Sequence, residues 1–183
     1  MTMRKGARLS KDRRYRYWLI RRWDENHPLL CVIGLNPSTA DAMQDDPTLR
    51  KVIGFAMDLG FGGVLVLNVG AYRTKDPREW KNAADPFGPE NTIYHLKRYI
   101  TRFRPAKIVV AWGKNCTSDA AREGVTRFLS EFPRVHCWGT NADGSPRHPG
   151  RIAYSTPLVL FRPKATASLR AAVSRTPQSV ARR

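Results

Sequence analysis

Four short apolar runs, each leaving into a polar or glycine-containing loop, constrain the fold of this chain more than any other feature. Leu30–Ile33 runs into Gly34-Leu35-Asn36-Pro37-Ser38, and Val64–Leu67 runs into Asn68. Lys107–Ala111 opens onto Trp112-Gly113, and Val135–Trp138 opens onto Gly139 and then Ser145-Pro146-Arg147-His148-Pro149. Short β-branched runs bounded by turn formers read as buried strands.

Helical patterns separate them. Pro47–Leu59 sets Leu49, Val52, Ile53, Ala56 and Met57 on one face, opens on a proline suited to a first turn and stops at Gly60. Pro89–Phe103 turns Ile93, Leu96 and Ile100 inward and Lys97, Arg98 and Arg102 outward, and Pro105 forbids its continuation. Ser118–Phe132 carries Ala121, Val125, Phe128 and Leu129 on one face, with Ser118 or Thr117 as N-cap. Strands alternating with helices predict an α/β fold with right-handed crossovers. The expectation is a three-layer α/β/α sandwich around a central, mainly parallel four-stranded sheet. Tyr15–Trp23 predicts an edge strand whose arginines guard it against stray pairing, and Tyr154–Phe161 a last short strand.

A chain of 183 residues suits one hydrophobic core. We expect a flexible basic arm over 1–14, one domain over 15–161, and a basic disordered tail over 162–183 that contacts phosphates without reading sequence. Lys and Arg number 32 against 15 Asp and Glu, a formal charge of +17. Such a field draws polyanions, and nucleic acid is the expected partner. No stretch approaches the ~20 apolar residues of a membrane span, and the basic start lacks the apolar core of a signal peptide. A cytoplasmic monomer without a membrane partner is expected. Cys31 and Cys137 lie in strand-like runs and Cys116 in a loop, without zinc or cluster spacing, so reduced thiols and neither metal nor cofactor are expected.

In open α/β sheets ligands bind outside the carboxyl ends of the strands, where Asn36, Asn68 and His148 should meet. Each has a bland alternative: Asn36 capping its own loop, Asn68 satisfying a loop amide, His148 as an ordinary surface histidine. An asparagine nevertheless offers both a donor and an acceptor to the edge of a base.

Taken in order, these segments resemble the uracil-DNA glycosylase superfamily. Gly34-Leu35-Asn36-Pro37 resembles its water-activating motif in the asparagine form of the mismatch-specific branch. Gly63–Asn68 resembles the strand whose terminal asparagine reads the base edge, Val109–Gly113 the next strand end, and His148-Pro149 the start of the leaving-group and intercalation motif. The likeness runs over roughly Cys31 to Tyr154. The same segments also resemble a bacterial and phage family carrying Asn-Pro-Ser-Thr-Ala and Asp-Asp-Pro-Thr, here Asn36–Ala40 and Asp45–Thr48.

The glycosylase resemblance implies a monofunctional DNA N-glycosylase that flips a base out and leaves an abasic site. It implies catalytic Asn36, orienting water, and catalytic His148, stabilising the departing base. Gly34, Pro37, Ser38, Asn68, Trp112 and Gly113 would bind the base, and Arg73, Lys114, Arg147 and Arg151 the DNA. Two departures stand out. His148-Pro149 continues into Gly150-Arg151 and not a serine-containing wedge, leaving the intercalating residue unassigned. Ser38 stands near where strict uracil enzymes place a tyrosine, leaving room for a 5-substituted pyrimidine. Hydroxymethylcytosine and its glucosylated forms, which phages carry, are the expected bases, and defence against phage DNA the expected role. Uracil or mismatched thymine is the alternative. The rival classes are a metal-dependent phosphoesterase using Asp41, Asp45 and Asp46, and a non-catalytic nucleic-acid-binding module.

Overall fold

The computed structural model describes residues 2–163 apart from Asn91. The four apolar runs become β3 (Leu29–Gly34), β4 (Gly63–Asn68), β5 (Lys107–Val110) and β6 (His136–Cys137), preceded by β1 (Arg4–Leu9) and β2 (Arg16–Arg22) and followed by β7 (Val159–Leu160). They form one mixed sheet of seven strands in the order β1-β2-β4-β3-β5-β6-β7. β4, β3, β5 and β6 run parallel, whereas β1, β2 and β7 add antiparallel borders. The protein is thus an α/β fold with a parallel core, in a sheet wider than the four strands expected.

Both faces of that core are covered, which is why its strands are apolar throughout. Leu30, Val32, Val64 and Val109 pack under α1 (Pro47–Asp58) with its Leu49, Val52 and Phe55. Cys31, Ile33, Leu65, Leu67 and Val110 face the opposite way, against Ile93, Leu96 and Tyr99 of α3 (Thr92–Phe103) and Phe128 of α4 (Asp119–Glu131). Ser118 caps α4 by accepting from the Ala121 amide. A short helix, α2 (Pro77–Asn82), was not expected. Its signal was legible, because Asp76-Pro77 repeats the Asp46-Pro47 start of α1: in both, the aspartate accepts from an amide of the first turn. Among the described residues no helix is long and apolar enough to cross a membrane.

Two expectations at the amino terminus are corrected. Arg4–Leu9 is not a flexible arm but β1, paired antiparallel to β2. Tyr15–Trp23 therefore does not form an edge, since β2 lies between β1 and β4. The small residues of β1 permit this: a Cβ at Gly6 would already lie 3.1 Å from Ile20. The basic tail expected over 162–183 lies, from residue 164 onward, outside the described residues.

Candidate functional site

The β3–α1–β4 unit winds one way from β3 and the chain returns through α3 to β5 on its other side, so the strand order reverses between β3 and β5. Crevices form at such switch points, beyond the carboxyl ends of the strands. A cleft of about 740 Å³ opens there. Its lining brings together ten of the twelve expected residues: Gly34, Asn36, Ser38, Asn68, Trp112, Gly113, Lys114, Arg147, His148 and Arg151.

Asn68 ends β4 opposite Gly34 of β3 and is buried. Its amide is oriented with the nitrogen donating to the main-chain oxygens of Asn36 and Leu67, both at 3.3 Å, because the opposite orientation sets its oxygen against those two acceptors. Both amide hydrogens then serve the scaffold, and the group Asn68 offers a ligand is its carbonyl oxygen. Gly34 makes the packing possible: a Cβ there would lie 2.9 Å from the Asn68 amide. Asn36 is similarly tethered. Its Nδ2 donates to the carbonyl of Thr74 at 2.8 Å and to that of Pro37 at 3.2 Å, leaving Oδ1 as an acceptor.

His148 precedes a single 3-10 turn, Pro149–Arg151, and caps it. Its Nδ1 accepts from the Gly150 amide at 3.2 Å, which places the ring proton on Nε2. The ring faces the cleft with much of its surface accessible, yet enough protein surrounds it that partial burial lowers its pKa below the ordinary 6.5, with Asp46 pulling weakly the other way. His148 is therefore a neutral Nε2–H donor near pH 7. Gly113 adopts a φ of +72°, a left-handed conformation that favours glycine, as its amide turns to donate to Pro146. That bond draws the two loops of the cleft together.

Pro37 and Arg73 do not line the cleft. Pro37 is buried, and its carbonyl accepts from Thr74 as well as Asn36. Arg73 turns to the backbone, donating to the carbonyls of Arg13 at 2.9 Å and Thr39 at 3.2 Å. The cleft also takes residues that the sequence reading passed over: Arg16, Thr74, Lys75, Asn115 and Asn141. Arg16 carried no signal, because an arginine at a strand start reads as a solvent-facing guard. In the fold it is buried beside the cleft, with Nη1 on the Ala40 carbonyl at 2.7 Å and Nε without a partner. Burial lowers its pKa to about 10.

Each of the three aspartates of the phosphoesterase alternative already has a partner in the fold. Asp41 accepts from the amides of Met43 and Gln44 and pairs with Arg13 at 2.9 Å. Asp45 pairs with the fully buried Arg21 at 2.6 Å and with Lys5 at 3.6 Å. Asp46 caps α1 by accepting from Leu49 at 2.7 Å. Among the described residues no group of three His, Cys, Asp or Glu side chains is placed to hold a metal ion. The cleft itself is basic: Arg16, Lys75, Lys114, Arg147 and Arg151 line it, with Asp46 the one carboxylate among the described lining residues.

Residues 16–150 match the model of a family described as "Protein of unknown function (DUF1643)". The chain belongs to that family. The DUF1643 segment holds all of the cleft lining except Arg151 and Ile152, which follow it directly. No curated protein matches the sequence. Among solved structures, an alpha/beta hydrolase from Novosphingobium aromaticivorans is similar at 16% identity and a TM-score of 0.32, over 72% of this chain and 40% of that one. Likeness at that level carries no argument about activity.

Proposed function

We propose that this DUF1643 protein is a monofunctional DNA N-glycosylase, with the four parallel strands and the helices on either side forming a three-layer glycosylase-like core. The observation that carries the reading is the meeting of Asn36, Asn68 and a neutral His148 in one cation-lined cleft at the switch point of the sheet.

Cations at the rim hold the phosphates, and the target nucleotide turns out of the stack into the cleft. The carbonyl of Asn68 accepts from the amino or imino edge of the pyrimidine. Departure of the base leaves positive charge on the sugar and negative charge on the base, as in other glycoside cleavages. His148 donates its Nε2–H to the developing charge on the base. Asn36 holds a water through Oδ1 on the sugar carbon; an amide is no general base, so it contributes position and not proton abstraction. The C–N bond breaks, the water oxygen joins the sugar, and the water proton is taken up by the departing base or by solvent.

Ser38 is a small residue of the cleft lining, standing in the resemblance near where strict uracil enzymes carry a tyrosine, and about 740 Å³ is room for more than a bare pyrimidine. A 5-modified pyrimidine of phage DNA, hydroxymethylcytosine or its glucosylated form, is therefore the leading substrate and defence the leading role. The test is incubation of the full chain, in EDTA, with duplexes carrying uracil, mismatched thymine, hydroxymethylcytosine or glucosylated hydroxymethylcytosine, followed by alkali. Alkali-labile sites support a glycosylase, whereas strands intact throughout would leave a binding module. Ser38→Tyr should block the bulky bases selectively; release of uracil alone by the wild type removes the open-pocket argument.

A further inference from the structure

The loop that resembles the intercalation motif has no free apolar side chain to insert. Pro149 and Ile152 are buried, Gly150 has none, and Arg151 is charged. Tyr154 is half-exposed but seated on α1, its ring 5.0 Å from Phe55 with the Lys51 ammonium 4.3 Å from its centre. Met57 and Leu59 lie at the far end of α1, about 18 Å from the cleft end at 1.5 Å per residue. Val159 and Leu160 belong to the edge strand β7.

Met43 differs from all of these. It is 79% exposed, more than any other large apolar side chain described, and sits on the loop whose Ala40 and Asp46 line the cleft. That loop is held from below. The Asp41 carboxylate accepts from the amides of Met43 and Gln44 at 2.9 and 3.0 Å. Arg21, wholly buried, donates to the Asp41 and Gln44 carbonyls at 2.5 and 3.3 Å and pairs with Asp45. Lys5 donates to the Met43 carbonyl at 3.3 Å and pairs with Asp45, and Arg13 pairs with Asp41, so the tip is tied down on two sides. An exposed methionine on an anchored rim beside a cleft lined by Lys75, Lys114, Arg147 and Arg151 matches the apolar wedges that enter base steps while neighbouring cations hold the phosphates.

We propose that Met43 is the wedge that enters the DNA stack beside the flipped nucleotide, an assignment that rests on the reading of the cleft as a DNA site. Inserted, its side chain exchanges water for base faces and fills the space the target base leaves. The experiment uses the full chain and duplexes carrying 2-aminopurine beside hydroxymethylcytosine, with the matching single strands. Wild-type binding should raise 2-aminopurine fluorescence as the step unstacks. Met43→Ala should remove most of that rise and lower the duplex-to-single-strand excision ratio by about tenfold, since unstacking a step costs a few kcal/mol and 1.4 kcal/mol is tenfold. Met43→Leu should restore both. A substitution this exposed should leave folding intact. The wedge is overturned if Met43→Ala unstacks the duplex as well as wild type does, or if wild type binds without unstacking it. Failure of the glycosylase reading looks different: unstacking by wild type that depends on Met43, with no abasic site formed on any base.

Discussion

Asn36 has its amide nitrogen tied to two carbonyls, so its side chain can neither swing nor offer a donor to the cleft. Asn36→Ala should therefore lower single-turnover excision by about a hundredfold, the scale of a misplaced reactant, while duplex affinity stays within a few-fold. Excision near the wild-type rate would remove Asn36 from the mechanism. His148 gives a pH signature. Its pKa in the folded protein lies below the ordinary 6.5, so excision should be level above that pH and fall as acid charges the ring. Protonation would turn Nδ1 from acceptor to donor against the Gly150 amide. The sign for stability is the same. A depressed folded pKa favours the native state above the unfolded value, and this contribution is lost as pH falls through the folded pKa. His136, also lowered by burial, adds to the stability trend but not to the excision profile. NMR titration of the two imidazoles alongside the rate profile checks the assignment; an activity limb that follows His136 would refute it.

At the scale of elements, the loop between β3 and α1 decides the shape of the cleft, and arginines decide the loop. Arg16, Arg21 and Arg73 all donate to carbonyls between Thr39 and Gln44. Arg16 and Arg21, which read as part of a phosphate-seeking surface, are thus internal scaffolding. Arg21→Met should destabilise the fold by about 3 kcal/mol, near the lower limit for breaking a buried pair because Asp45 keeps some access to water. Denaturant melts of the variant measure this directly. A loss below about 0.5 kcal/mol, the range of ordinary surface changes, would mean that the loop holds itself.

On the scale of the molecule, the charge of +17 is unevenly committed. Arg4, Arg8, Arg13, Arg21 and Arg22 each pair with a carboxylate. Among the described residues, Lys75, Lys114, Arg147 and Arg151 line the cleft without an ion pair, which leaves these cleft cations available to neutralise phosphates. Replacing Lys114, Arg147 and Arg151 together with glutamine should reduce the slope of log affinity against log salt by about 3, at 0.9 per phosphate contact on duplex DNA. Titrations across a salt series read the slope. An unchanged slope would place the phosphates on another face.

Local signals in the sequence were enough for the α/β class, the four parallel strands and the starts of α1 and α4. β-branched runs, an Asp-Pro or Ser cap and a helical period act within a few residues of one another. The strand ends at Gly34 and Asn68 and the turn at Gly113 were legible for the same reason, and with them much of the cleft. What only the tertiary structure decided involves partners far apart in the chain. β1 closing over β2 joins residues as far apart as Arg4 and Arg22, while Arg16 turning inward to Ala40 and Arg73 spent on Thr39 each depend on a backbone group at least 24 residues away. No residue pattern reveals whether an arginine meets a carbonyl or water. Folding brings those carbonyls within reach, so the same residue type is scaffold at Arg21 and cleft lining at Arg147.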